Sequence, residues 1–84
     1  MTEIDILTRG VYDFIVVYIH DNGYSPTLRE IGEGCHMAHT TIYNHLGKLE
    51  GKDWVVREYN VPRSIRLGEH APHYIAPTDI DSAS

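Results

Sequence analysis

The sequence predicts a mostly helical α+β domain in which three helices precede a two-stranded β-hairpin. Apolar residues recur at helical spacing within residues 8–21 and again within residues 39–51. After them, residues 54–59 and 64–67 are rich in β-branched and aromatic residues and flank a turn-prone run. A chain of 84 residues forms one small domain, so we expect the helices and the hairpin to share a single core.

The first helix is predicted over residues 8–21. Its apolar residues follow the i, i+3, i+4, i+7, i+8 spacing of one helical face. We expect Asn22 and Gly23 to end it, because glycine readily adopts the left-handed backbone found at many helix C-termini. The face predicted to point into the core consists of Val11, Phe14, Ile15, Tyr18 and Ile19.

The second helix is predicted to begin after Thr27. Thr27 and Glu30 have the spacing of a capping box, in which each side chain accepts a hydrogen bond from the other residue's backbone amide. Gly32 and Gly34 weaken the helix, so we expect it to be short and to end in a tight turn over residues 35–38.

The third helix is predicted over residues 39–51, with Ile42, Leu46 and Leu49 on its buried side. Two short helices joined by a tight turn are typical of a helix-turn-helix, whose second helix lies in the DNA major groove. The hairpin that follows makes the order that of a winged helix-turn-helix. The polar flank opposite the buried side consists of Thr40, Thr41, Tyr43, Asn44 and Lys48.

We expect the domain to occupy residues 1–68 and the acidic remainder, residues 69–84, to form a mostly flexible tail. The tail contains Pro72, Pro77 and small polar residues, although the segment 73–75 contains apolar side chains that favour docking on the body.

The net charge of −5 is unfavourable for binding phosphates, but it is distributed unevenly. Residues 1–24 carry four acids and one base, and residues 69–84 carry three acids and no base. Residues 25–68 carry six bases and five acids. The segment assigned to DNA is therefore the only one that is not acidic.

Other classes of protein are disfavoured by composition. A single cysteine excludes an intrachain disulfide, and the longest apolar run is too short to cross a bilayer, so we expect a cytoplasmic protein without a membrane partner. No catalytic arrangement or phosphate-binding glycine loop is present, so we predict no enzyme, no small-molecule substrate and no cofactor. The spacing of Cys35, His36, His39 and His45 is not that of a zinc site, so we predict no metal.

The chain resembles the N-terminal DNA-binding domain of LexA-type SOS repressors over about residues 7–68. The most specific block is Gly-Tyr-Ser-Pro-Thr-x-Arg-Glu-Ile at residues 23–31. Further matching blocks are residues 11–15, His45-Leu46 through Leu49-Glu50, and Pro62-Arg63-Ser64-Ile65-Arg66-Leu67.

This resemblance implies a winged helix-turn-helix that reads bases with the early part of its third helix. The side chains that it assigns to the bases are His39, Thr40, Thr41, Tyr43 and Asn44. It also assigns Arg63 as the wing arginine, and an arginine at a hairpin tip fits a narrow minor groove. The remaining basic candidates for phosphate contacts are Arg29, Lys48, Lys52 and Arg66.

The chain also departs from the family pattern. The turn before the third helix is one residue shorter, and the base-contact residues differ from the usual ones, so the family's operator is not implied. The family's second domain carries the self-cleavage site, the Ser–Lys pair and the main dimer interface. Residues 69–84 are too few to supply it, and we therefore expect no self-cleavage.

The predicted function is sequence-specific binding of double-stranded DNA by a repressor-like transcriptional regulator. One small DNA-binding domain covers a single half-site of its DNA target, so we expect the protein to act as a homodimer or through a protein partner. The alternative is a winged-helix protein-interaction module with no direct DNA reading, in which the polar flank is an ordinary solvated face and the acidic balance favours a basic partner.

Overall fold

The computed structural model describes residues 4–72. Three helices are followed by two short strands that pair antiparallel, with Val55 opposite Leu67 and Val56 opposite Arg66. The predicted fold class, a mostly helical winged helix-turn-helix, is confirmed. The elements are α1 (Ile6–Asn22), α2 (Leu28–Cys35), α3 (His39–Gly51), β1 (Val55–Val56) and β2 (Arg66–Leu67).

One core joins all three helices to the hairpin. Each helix contributes fully buried aliphatic residues, and β1 adds Val55. The stripe predicted for α1 is buried at Val11 and Ile15, whereas Tyr18 and Ile19 are half-buried at its border. None of the helices within residues 4–72 is both long and apolar enough to cross a bilayer. The other fully buried aliphatic side chains are Ile31, Ile42, Leu46 and Leu49.

Helix α1 begins two residues earlier than predicted because Asp5 caps it. The Oδ1 atom of Asp5 accepts a hydrogen bond of 2.7 Å from the Thr8 amide. At the other end, Gly23 adopts the expected left-handed conformation at φ +80°, and its amide donates to the carbonyl of Ile19 at 2.8 Å.

The capping box of α2 is present as predicted. The Glu30 amide donates to Thr27 Oγ1 at 3.1 Å, and the Thr27 amide donates to Glu30 Oε1 at 2.9 Å. The two glycines of this short helix are close-approach positions. A Cβ at Gly32 would lie 2.8 Å from the carbonyl oxygen of Met37, and one at Gly34 would overlap the Phe14 ring.

The two strands are shorter than the predicted ranges 54–59 and 64–67. Beyond the paired residues, the Ser64 hydroxyl bridges the arms of the hairpin in place of backbone pairing. It accepts from the Glu58 amide at 3.0 Å and donates to the Glu58 carbonyl at 2.9 Å. Two wing residues, Asn60 and Arg63, have positive φ angles of 66° and 56°, which are incompatible with a regular strand.

Residues 69–72, which the sequence analysis assigned to the tail, contact the body. The His70 amide donates to the Asp53 carbonyl at 3.2 Å, and its Nδ1 lies 2.8 Å from Asp53 Oδ2. The Tyr12 hydroxyl donates to the Pro72 carbonyl at 3.2 Å. The folded part therefore extends at least to Pro72. The rest of the predicted tail, including the segment 73–75, lies outside the described residues.

Candidate nucleic-acid interface

The polar flank of α3 faces outward. Ile42, Leu46 and Leu49 are fully buried on the opposite side of the helix, and this burial fixes which side chains remain accessible. Tyr43 is 47% exposed, and its ring meets the His39 ring edge-on at 6.4 Å. Of the residues predicted to read bases, Thr41 is half-buried and the others, His39, Thr40, Tyr43 and Asn44, are exposed.

The first turn of α3 carries no side-chain cap. Its N-cap is Ala38, whose methyl group accepts no hydrogen bond. The first backbone amides of an α-helix have no partner within the helix, and together with the helix dipole they attract anions. The exposed flank of α3 therefore begins at a helix terminus with unsatisfied donors.

Helix α3 is anchored on α1 by two polar contacts. His45 is 7% exposed, and its Nδ1 lies 2.7 Å from the Thr8 hydroxyl. Near the end of the helix, Lys48 Nζ lies 3.0 Å from Asp5 Oδ2. The Thr8 amide, followed by Lys48, holds the pKa of Asp5 well below its usual range. These contacts fix the rotational setting of α3.

Arg63, the predicted wing arginine, folds back onto the helical body. Its Nη1 and Nη2 lie 3.0 Å from the two carboxylate oxygens of Glu30. Nη1 also donates to the Ser25 carbonyl at 3.0 Å, and the guanidinium lies 4.9 Å from the centre of the Tyr24 ring. This arginine, followed by the Thr27 amide, lowers the pKa of Glu30 to about 2.

The residues predicted to contact phosphate differ in exposure and in pairing. Arg29 is 82% exposed, and its Nε lies 3.1 Å from Glu33 Oε2 one helical turn away. Arg66 is exposed on β2, and Lys52 is half-buried just after α3. An exposed pair within a helix is weak, so Arg29 is readily available to a phosphate.

A groove of about 490 Å³ separates the start of α2 and Tyr43 from the wing. Its walls carry apolar side chains from both sides, among them Leu28 and Val61, and the exposed aromatic side chain of Tyr59. The groove therefore adjoins both the exposed flank of α3 and the wing that follows it.

The sequence of this helix-turn-helix and wing matches a known family. Residues 5–64 match the family model described as the LexA DNA binding domain. The chain belongs to the LexA DNA-binding domain family.

Individual LexA repressors agree with this assignment. The chain is 37% identical over 68 residues to the LexA repressor of Staphylococcus carnosus, which covers 80% of this chain and 33% of that protein. It is 40% identical over 60 residues to the LexA repressor of Koribacter versatilis, and this match covers 70% of this chain and 29% of that protein. It is 39% identical over 66 residues to the LexA repressor of Carboxydothermus hydrogenoformans, and this match covers 76% of this chain and 32% of that protein. The chain thus spans about a third of the length of these LexA relatives.

The matched LexA region contains α1, α2, α3 and most of the wing. Of the predicted site residues, only Arg66 lies beyond position 64. No group of three or more histidine, cysteine or acidic side chains arranged to hold a metal ion occurs within residues 4–72.

Sequence reasoning missed one arginine that lies beside this candidate interface. Arg57 lies between two aromatic rings, 4.3 Å from the centre of Tyr59 and 5.4 Å from that of Tyr43. Its side chain is 9% exposed, and Nε lies 2.8 Å from Glu50 Oε2 as an ion pair without hydrogen-bond geometry. The two-residue spacing of Arg57 and Tyr59 is a local signal that places both on one strand face, but no local pattern points to Tyr43 as the third member.

Proposed function

We propose that this LexA-family domain binds double-stranded DNA with sequence preference, as the DNA-binding part of a transcriptional repressor, with the start of α3 in the major groove. The observation that carries the proposal is the exposed polar flank at the beginning of α3, held outward by the buried residues Ile42, Leu46 and Leu49. The second helix of a helix-turn-helix presents this part to base edges.

Each residue of the flank has a chemically suited role. Asn44 pairs with N6 and N7 of adenine, and the methyl groups of Thr40 and Thr41 contact a thymine methyl. Tyr43 and the unsatisfied amides after Ala38 contact phosphate or sugar, which sets the register of the domain on the duplex. His39, at the first position of α3, lies beside Tyr43 and contacts the same stretch of DNA.

The basic residues around the flank supply affinity rather than sequence preference. Arg29 exchanges its carboxylate partner for a phosphate, and Lys48, Lys52 and Arg66 extend this basic border. Because the chain is acidic overall, we expect modest affinity from a single domain. A homodimer on two half-sites, or a protein partner, raises the affinity and the specificity.

The first test is the base preference of an Asn44→Ala variant. After selection of preferred sequences from a random DNA pool, the variant is expected to lose about 1–3 kcal/mol on the preferred site and to accept other bases at one position. Asn22→Ala is the matched control, because Asn22 is an exposed asparagine at the end of α1. An unchanged selection profile for Asn44→Ala would mean that the reading flank is assigned wrongly.

The alternative function is a protein-interaction module, and the pairing of Arg29, Lys48 and Arg63 with carboxylates favours it. Salt dependence separates the two functions, because DNA binding releases counterions and weakens steeply as salt rises. Absence of binding to random duplex at about 50 mM salt would favour the interaction module. Light scattering with and without DNA measures whether two copies assemble on one site.

A further inference from the structure

Arg63 connects the wing to three separate parts of the helical body. It contacts the Tyr18 hydroxyl of α1 at 3.4 Å, the Ser25 carbonyl in the connection between α1 and α2 at 3.0 Å, and both carboxylate oxygens of Glu30 in α2 at 3.0 Å. The side chain of a wing residue thus makes its polar contacts within the protein.

The geometry of these contacts is that of a fixed group. A guanidinium that pairs with a carboxylate through two nitrogens has a defined orientation as well as a defined distance. The ring of Tyr24 covers the guanidinium at 4.9 Å, and cation–π contact adds a further constraint. The backbone of Arg63 is left-handed at φ 56°, a conformation that is unfavourable for a side chain with a Cβ and persists where the surroundings hold it.

Glu30 is shared between this pair and the capping box. Its Oε1 atom accepts from the Thr27 amide at 2.9 Å and from Arg63 Nη1 at 3.0 Å. One carboxylate therefore links the first turn of α2 to the wing, and the pKa of Glu30, lowered to about 2, reflects both donors.

The other arm of the wing is fixed to α3. Arg57 pairs with Glu50 at 2.8 Å and packs on the ring of Tyr43. The loop of residues 58–62 thus lies between two arginines, one held by α3 and the other by α2. Together, the contacts of Arg57 and Arg63 set the distance between the wing loop and the exposed flank of α3.

We propose that Arg63 and Glu30 are a positioning pair that holds the wing in place for DNA, and that Arg63 acts through Glu30 rather than by contacting DNA. The inference rests on the proposed function, since it concerns how the wing flanks a duplex bound by α3. A wing ordered before binding avoids the free-energy cost of ordering it on the DNA.

DNA affinity of charge-changing variants provides the decisive test. Glu30→Gln removes a negative charge while glutamine still serves in a capping box, so simple electrostatics predicts tighter DNA binding. The positioning pair predicts weaker binding, by roughly threefold to tenfold, the cost of ordering a few side chains. Arg63→Ala is expected to weaken binding similarly, and the double variant no more than either single one.

The matched control is Asp13→Asn, which removes one carboxylate from an exposed ion pair within α1. It is expected to leave affinity unchanged or slightly raised. The slope of log affinity against log salt gives a second criterion, because loss of a direct phosphate contact lowers the slope by about one. Under the proposal, Arg63→Ala keeps the wild-type slope. Tighter binding by Glu30→Gln, or a reduced slope for Arg63→Ala, would overturn it.

Amide hydrogen exchange of the free protein tests the pair without DNA. The Glu58 amide, which donates to Ser64, is expected to lose protection in both Glu30→Gln and Arg63→Ala, and to keep it in Asp13→Asn. Unchanged protection in both variants would refute the positioning pair. If no variant and no wild-type protein bound DNA, the proposed function would fail while this exchange measurement still decided the role of Arg63.

Discussion

The helices of the helix-turn-helix begin in opposite ways. The start of α2 is closed by the reciprocal bonds of Thr27 and Glu30, and Arg63 adds a cation to the same carboxylate. The start of α3 has Ala38 at the N-cap and no side-chain bond. The chain thus places its local stabilising chemistry on α2, whereas α3 keeps free donors next to the exposed flank proposed to read DNA.

This contrast indicates a division between stability and binding. A capped terminus satisfies its own amides, and an uncapped one keeps them available for an external anion. Residues held ready for a ligand commonly lower the stability of the free protein. Substitutions at the start of α2 and at the start of α3 therefore test separately whether the first serves stability and the second serves DNA binding.

The largest expected effect comes from capping α3. Ala38→Asp is expected to stabilise the free protein by about 1 kcal/mol, because aspartate is a strong N-cap, and to weaken DNA binding by about 2 kcal/mol through like-charge contact with phosphate. Urea unfolding and DNA titration measure the two quantities. Ala38→Ser adds a cap without the charge and is the control. Unaltered DNA affinity in Ala38→Asp would show that the start of α3 does not approach phosphate.

Opening the start of α2 is expected to have the next largest effect. Thr27→Ala removes the hydroxyl that accepts from the Glu30 amide and should lower the free energy of unfolding by about 1 kcal/mol. Thr27→Ser keeps the hydroxyl and should retain most of the stability. Equal stability of Thr27→Ala and wild type would mean that the capping box contributes little to the fold.

The smallest expected effect is a pH dependence that belongs to the start of α2, because the ion pair of Glu30 and Arg63 is partly exposed and solvent screens it. The pKa of Glu30 is about 2 in the folded chain and its ordinary value is 4.5. Its stabilising contribution is therefore complete above pH 4.5 and is lost as the pH falls towards 2. Thermal unfolding of wild type and Glu30→Gln between pH 6 and 2 measures this contribution as a difference that shrinks on acidification.

Other carboxyl groups with lowered pKa values, Asp5 and Asp53, are present in both proteins of that experiment. Their effect on stability cancels in the comparison between wild type and variant. A difference that stayed constant from pH 6 to pH 2 would contradict the assigned ion pair between Glu30 and Arg63.

The start of α2 was predictable from sequence because its chemistry is local. Thr27 and Glu30 are three residues apart, and their spacing alone specified both bonds. The buried side of α3 was predictable for the same reason, since the spacing of Ile42, Leu46 and Leu49 defines one helical face. The family was indicated by short blocks of matching residues, which can be recognised without knowledge of the fold.

Contacts between distant segments were not predictable in this way. The turn-prone run that contains Arg63 indicated a hairpin tip. The orientation of the Arg63 side chain, however, depends on Glu30, which lies 33 residues away in sequence. The stacking of Arg57 on Tyr43 and the docking of residues 69–72 also depend on how separate elements meet. Composition alone made residues 69–72 resemble part of a flexible tail, because prolines and small polar residues are common in such tails.

The first turn of α1 is joined to the helix proposed to read DNA. Asp5 caps α1 and pairs with Lys48, and Thr8 bonds the buried His45. The first turn of a helix commonly frays independently of the body, but here fraying would break contacts that reach α3. Asp5 and Thr8 therefore link the first turn of α1 to α3, so that we expect a change at either residue to loosen a helix that lies far along the sequence.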